Sequence, residues 1–333
     1  MKLSEINYSN KFDDLNNQLN KFINQDKHVI LIDSKLSSIV NLDTRFKIYE
    51  IEIDESIKNL NTIEKIWEIM FSESLDRNSK IIGIGGGVLS DLVGFAASTF
   101  KRGASLSLVP STFLGMVDAA HGGKTGFNNK YGKNQIGTFF IPEEIFVCTE
   151  FLNSLSEMEM NNGIIESLKS GFLGDDKIIQ MIYKDEHKNN FEEIIKKSIH
   201  VKYQILKNDL HESNERMFLN LGHTIGHLIE IDSNYNISHG QAVAIGLLKG
   251  FEISETRFDL SRSIREEFKT FLNKKSMKTE YIFSSNQTKL KELITNDKKV
   301  SNGVVKFVLI KNIQEPVLVD FPIDDLLEAL TNE

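Results

Sequence analysis

Short apolar runs alternate with helically spaced stretches in the first half of the chain, and the pattern then changes. Residues 28 to 33 (HVILID), 47 to 53 (KIYEIEI), 80 to 84 (KIIGI), 106 to 109 and 145 to 149 (IFVCT) are brief apolar runs that predict strands. Residues 61 to 74 (NTIEKIWEIMFSES) predict an amphipathic helix, and strands alternating with helices predict a parallel α/β layer. Further on, NFEEIIKKSIHVKYQILKND and GQAVAIGLLKGFEISETRF keep the helical period, and no proline occurs from 143 to 315. We therefore divide the chain near residue 150, into an α/β domain (1–150) and a mostly α-helical domain (151–333). The tail, GVVKFVLI followed by PVLVD and IDDLLEALT, predicts a hairpin and a last helix.

A length of 333 residues exceeds one ordinary core, and 40% hydrophobic residues suffice to bury two. The net charge of -8 argues against nucleic acid as a partner, while local lysine clusters still suit small anions. A single cysteine, Cys148, excludes an internal disulfide and a multi-cysteine zinc site, and fits a reducing compartment. The N-terminal residues have no apolar core of signal-peptide length and no run of about 18 apolar residues occurs, so a cytoplasmic location without membrane contact is expected.

The candidate chemistry centres on Arg216 to Gly240 (RMFLNLGHTIGHLIEIDSNYNISHG), which holds three of the eight histidines. His223 and His227 are four apart in an apolar, helically spaced window from Phe218 to Ile229, which predicts both imidazoles on one face of a buried helix. His239 follows a polar break, Asp232 to Ser238, that lets the chain return. Two histidines and one carboxylate make an open divalent-metal site. Glu166 and Lys169 share a helical face among apolar neighbours in GIIESLKSG; a salt bridge is one reading, and a metal as the carboxylate's partner is the other.

Two glycine-rich segments suit anions. GIGGGVLSDLVGFAAS places Gly83, Gly85, Gly86 and Gly87 between a strand and a helix, which reads either as a tight turn without a ligand or as a site where free amides can hold a diphosphate; Val88 occupies the third glycine of the usual dinucleotide pattern. Asp91 either caps this helix or holds a nucleotide hydroxyl. Residues 117 to 137 (VDAAHGGKTGFNNKYGKNQIG) read as a polar loop carrying Asp118, Lys124, Lys133 and Asn134, which suits a phosphate or carboxylate. Arg216 offers a planar fork to an anion, and Lys202 lies on a predicted helix before it.

Together, GGGVLSDLVGFAASTFKRG, VPSTFLGMVDAAHGGKTGFNNKYGKNQIGTFFIP, GIIESLKSG, RMFLNLGHTIGHLIE and SHGQAVAIG resemble the 3-dehydroquinate synthase family of sugar phosphate cyclases, over about residues 28 to 325. The resemblance implies a Rossmann-like, NAD-binding α/β domain and a helical metal domain. It further implies conversion of 3-deoxy-D-arabino-heptulosonate 7-phosphate to 3-dehydroquinate and phosphate, and a homodimer. By motif it implies Glu166, His223 and His239 as ligands of zinc or cobalt. His227, Asp118, Lys169, Asn220, Lys202 and Arg216 would lie around the substrate, with Arg102, Lys124, Asn134 and Lys298 or Lys299 around its phosphate. NAD would meet Asp33, Glu55, Lys58, the loop Gly86, Gly87, Val88, Leu89, Ser90 and Asp91, then Ser111, Thr112, Lys124, Lys133 and the segment Phe151, Leu152, Asn153, Ser154. The chain departs from the family's usual residues at Ser90 (glycine), His121 (small apolar) and Gln241 (glutamate), and where it reads SLSEME instead of a stretch with proline and arginine.

Overall fold

In the computed structural model, which describes residues 2–22, 27–186, 190–210, 212, 214–295, 300–301 and 303–331, the chain divides into two units, Met1–Gly163 and Ile164–Glu333. The division lies inside a helix, beyond the expected position near residue 150. Lys298 and Lys299 lie outside the described residues.

The first unit runs β1 (Glu5–Ser9), α1 (Phe12–Leu19), β2 (His28–Asp33), α2 (Ser37–Val40), β3 (Ile48–Ile51), α3 (Leu60–Ser72), β4 (Lys80–Gly85), α4 (Gly87–Thr99), β5 (Ser105–Pro110), β6 (Lys124–Asn129), β7 (Gly132–Phe139) and β8 (Glu144–Cys148). Six strands form one sheet in the order β1-β8-β5-β4-β2-β3, with every pairing parallel. Central strands β2 and β4 are buried almost throughout, as expected of a sheet covered on both faces. In α3, Asn59 caps the first turn by accepting from Thr62 N at 3.2 Å, and Ile63, Ile66 and Met70 form the buried stripe.

Residues 124–139, expected as part of a loop, are an antiparallel hairpin of β6 and β7. Its glycines require the close approach that hides the strand pattern: a Cβ on Gly137 would lie 2.1 Å from Thr125 O, and one on Gly126 2.5 Å from Ile136 O.

From α5 (Glu157–Gly174), which contains the division, the chain continues through α6 (Asp176–Tyr183), α7 (Phe191–Asn208), a 3-10 turn (Glu215–Asn220), α8 (His223–Asp232), α9 (His239–Phe258), α10 (Arg262–Lys274) and α11 (Gln287–Thr295). A small antiparallel sheet of β9 (Val300–Ser301), β10 (Val304–Asn312) and β11 (Glu315–Pro322) follows, then α12 (Ile323–Thr331). Ile225 and Ile229 of α8 join Ile245 of α9, Leu290, Phe307 and Leu326 in one core, so one face of each central helix is buried apolar surface.

The helix expected to take in Phe218 to Ile229 begins only at His223. Gly222 is left-handed, at φ 76°, and separates it from the 3-10 turn. α8 and α9 then approach through glycine: a Cβ on Gly246 would lie 2.0 Å from Gly222 O. No helix among the described residues is long and apolar enough to cross a membrane.

Candidate active site

Three helices of the second unit converge on one carboxylate. Glu166 projects from α5, His223 is the first residue of α8 and His239 the first of α9. Both Nε2 atoms lie 3.5 Å from Glu166 Oε1, and the three residues' ligand atoms are all within 4.8 Å of one another. The other carboxylate oxygen pairs with Lys169, and both side chains are almost wholly buried. The i,i+3 pair is thus not a surface salt bridge.

Each imidazole is oriented from behind. His223 Nδ1 is 3.1 Å from Leu221 O, and because a carbonyl only accepts, Nδ1 carries the proton and Nε2 turns its lone pair toward Glu166. His239 Nδ1 faces Glu230 Oε2 at 3.5 Å. Burial, helped by the Lys169 cation, holds the His223 imidazole well below the ordinary histidine range. Burial also opposes charge on His239, but hydrogen bonds to Glu166 and Glu230 override it and push that imidazole up to about 10. The cluster therefore favours positive charge between its imidazoles and its carboxylate. A divalent cation fits this set, since two nitrogens and one oxygen leave coordination positions open for water or substrate.

His227, one turn after His223 on α8, is half-buried and meets the His223 ring edge-on at 5.5 Å, beside the cluster rather than in it. Glu230 went unrecognised in the sequence. Its signal was there: it follows His227 by three residues on the same helix, within H-x3-H-x2-E.

Arg216 is buried in the 3-10 turn, its backbone N donating to Asp209 Oδ2 at 3.0 Å and its guanidinium to Leu210 O. Asn220 donates to Glu212 Oε1 at 2.9 Å, and Lys202 is buried on α7.

In the first unit, the direction of sheet growth reverses between β2 and β4, the switch point beyond whose carboxyl ends open α/β sheets commonly bind ligands. Asp33 ends β2 and Gly86 is the N-cap of α4. The first amides of α4 have no intrahelical acceptor, and a Cβ on Gly86 would come within 3.1 Å of Thr112 Cγ2, so the loop has the bare backbone a phosphate group needs. Val88 lies on the first turn; Leu89 and Ser90 are buried, and Ser90 N donates to Gly86 O at 3.0 Å, so serine fits an ordinary helical position there. Asp91 does not cap the helix. It accepts from buried Lys58 at 2.6 Å, and Lys58 also donates to Asn134 Oδ1 at 2.7 Å. Glu55 joins this group through Asn128, at 2.7 Å, and Lys133, at 3.4 Å.

Ser111 N donates to Gly85 O, and Thr112 Oγ1 accepts from Gly115 N. Asp118 is half-buried in a π-helical turn, while Lys124 at the head of β6 and Arg102 after α4 are exposed. Phe151 is fully buried against Phe12, with Leu152 buried beside it and Asn153 and Ser154 completing the turn.

The architecture is shared with solved synthases of other names. A 2-epi-5-epi-valiolone synthase from Streptomyces hygroscopicus subsp. jinggangensis, with NAD+ and Zn2+ bound, superimposes with a TM-score of 0.86 at 20% identity, over 99% of this chain and 96% of that one. A 2-deoxy-scyllo-inosose synthase in complex with carbaglucose-6-phosphate, NAD+ and Co2+ gives 0.82 at 20% identity, over 98% and 95%. Within that architecture, the chain belongs to the 3-dehydroquinate synthase family: the family's N-terminal model matches residues 48–162 and its C-terminal model residues 163–300. The 3-dehydroquinate synthase of Pyrococcus abyssi is 38% identical over 257 residues, 76% of this chain and 75% of the relative.

Proposed function

We propose that the chain converts 3-deoxy-D-arabino-heptulosonate 7-phosphate to 3-dehydroquinate and phosphate, with NAD as a catalytic cofactor and a divalent metal such as zinc or cobalt. The observation that carries this reading is the buried convergence of Glu166, His223 and His239 in a chain of this family. Those three residues would hold the metal, with Leu221 O and Glu230 fixing the imidazoles from behind. When bound, NAD would supply a reversible oxidation of a ring alcohol and the metal would polarise the reacting hydroxyl, lending the neighbouring C–H the acidity that phosphate elimination requires.

The remaining work falls to positioning. Arg216, held through Asp209 and Leu210, would present its guanidinium to the substrate's carboxylate, and Lys169, Lys202 and Asn220 would meet hydroxyl oxygens. In the first unit, Lys124 and Arg102 would neutralise the phosphate. Gly86 to Asp91 would cradle the NAD diphosphate, while Asp33, Glu55, Lys58, Ser111, Thr112, Lys133 and the turn Phe151 to Ser154 line the rest of the nucleotide site. We assign no protein side chain as the base for elimination, because the departing phosphate can take the proton.

The test is phosphate release from the heptulosonate substrate, with and without NAD and after chelation. Phosphate release that needs both NAD and metal, without accumulation of NADH, is the expected result. Steady accumulation of NADH with a polyol and no phosphate release would replace this reading with that of a dehydrogenase.

A further inference from the structure

The segment between β5 and β6 makes one π-helical turn, Gly115–Ala119, and Asp118 belongs to it. A π-turn shifts the backbone ladder by one residue and leaves displaced carbonyls in need of donors. Ala120 N donates to Gly115 O at 3.2 Å and His121 N to Asp118 O at 3.0 Å, so neither of these amides serves the Met116 carbonyl. The His121 side chain does. Its Nε2 lies 2.8 Å from Met116 O, and the imidazole is 2% exposed. Because a carbonyl only accepts, Nε2 carries the proton.

This bond closes a loop from residue 121 back to 116 around Asp118. At the other end of the turn, Thr112 Oγ1 accepts from Gly115 N at 3.0 Å. The two residues that follow, Gly122 and Gly123, are both left-handed, at φ 93° and 67°, and Gly123 O accepts from Phe140 N at 2.7 Å. The turn is seated on the nucleotide loop, where a Cβ on Gly87 would lie 3.6 Å from Ala119 Cβ.

We propose that His121 is a positioning residue for the reaction: its Nε2–H bond to Met116 O locks the π-turn and thereby sets the direction in which Asp118 leaves it. The inference rests on the reading that Asp118 meets the substrate.

The test compares three substitutions. His121→Gln keeps an N–H at the same bond distance from the backbone as Nε2, His121→Asn ends one atom short of it, and His121→Val has no donor. Loss of a buried hydrogen bond corresponds to a fall of about 10- to 100-fold in kcat/KM for the heptulosonate in the Asn and Val variants, with Gln within about threefold of wild type. NAD affinity is expected to stay close to wild type in Asn, and the melting midpoint to fall by no more than a few degrees, equally in Asn and Val. A 15N spectrum of histidine-labelled protein is expected to contain one hydrogen-bonded, Nε2-protonated imidazole signal that is absent from the Asn variant.

Gln performing no better than Asn, or NAD affinity and melting falling in step with kcat/KM, would overturn the positioning role. Asp118→Asn separates this from the underlying reading. Wild-type kcat/KM in Asp118→Asn with His121→Asn impaired removes Asp118 from the site, whereas an impaired Asp118→Asn beside a fully active His121→Asn removes the proposal alone.

Discussion

Replacing Gly246 by alanine tests whether backbone contact between α8 and α9 sets the spacing of the His223 and His239 imidazoles proposed to hold the metal. The added Cβ would lie 2.0 Å from Gly222 O, 3.0 Å from Gly222 C and 3.1 Å from Gly226 N. All three are backbone atoms, so no rotamer change relieves the clash. Ordinary contact starts at 3.4 Å, and 3.4 − 2.0 = 1.4 Å of separation is needed along the oxygen direction. Metal–ligand distances tolerate only about 0.2 Å, so even a fraction of that shift between His223 and His239 breaks the ligand set. The fold itself suffers less: overpacking costs about 1–3 kcal/mol, offset by about 1 kcal/mol that alanine gains over glycine in a helix. Metal affinity should therefore fall by about two orders of magnitude or more, since one 1.4 kcal/mol step is already tenfold, while the melting midpoint drops by a few degrees. The assay is metal content after dialysis against a graded chelator, alongside thermal melting. Gly250→Ala is the control, because nothing lies within 4 Å of its added Cβ on the same helix. It should keep its metal and melt at or above wild type. A Gly246→Ala protein with wild-type affinity for the ion, or a Gly250→Ala protein that loses as much, would refute the reasoning.

Glu166→Ala should abolish both metal content and turnover, and a full complement of tightly held metal in that variant would remove Glu166 as a ligand. Arg216→Lys loses the planar fork and should lower kcat/KM by about 10- to 100-fold, a loss consistent with one charged hydrogen bond; wild-type kinetics would place Arg216 outside the site. Asp232 accepts from Tyr281 Oη at 2.7 Å, Ser284 N at 2.8 Å and Ser285 N at 2.9 Å. Burial opposes its charge, but these donors outweigh burial and hold its carboxyl at about 2. With the folded pKa below the unfolded one, the stabilisation is present above about pH 4 and disappears as pH falls through about 2. Asp232→Asn should thus cost about 1–3 kcal/mol at neutral pH, measured as a urea midpoint, and the gap to wild type should close across that acid window.

Much of the fold was legible where local pattern suffices. His28 to Asp33 read as a strand and is one, and the last helix begins at Ile323 as its periodicity predicts. Strand β1 was missed because EINYS is mostly polar and takes its structure from pairing with residues Glu144 to Cys148, a contact across nearly half the chain. The β6–β7 hairpin was missed for the opposite reason: glycines that look like a loop are what two close backbones require. The division near residue 150 followed composition, whereas contacts keep the turn from Thr149 to Ser154 and the first residues of α5 with the first unit. At the site, Glu166, His223 and His239 could be named as a set from the resemblance, yet their separation depends on helix packing that no periodicity encodes. Glu230 escaped because its spacing after His227, although visible, gains a partner only when His239 returns to face it.

The parallel sheet has one more consequence. Because strands β2, β4, β5 and β8 all run the same way, Asp33, Gly86, Ser111 and Phe151 each lie at or just after a strand's exit from the layer. Residues more than a hundred positions apart thus line one rim without any of them being neighbours in the chain. The opposite rim, where the crossovers re-enter the layer, holds none of them, so lengthening the connections there should leave this rim in register, whereas a single residue inserted just after β4 would displace the glycine loop proposed to hold the diphosphate.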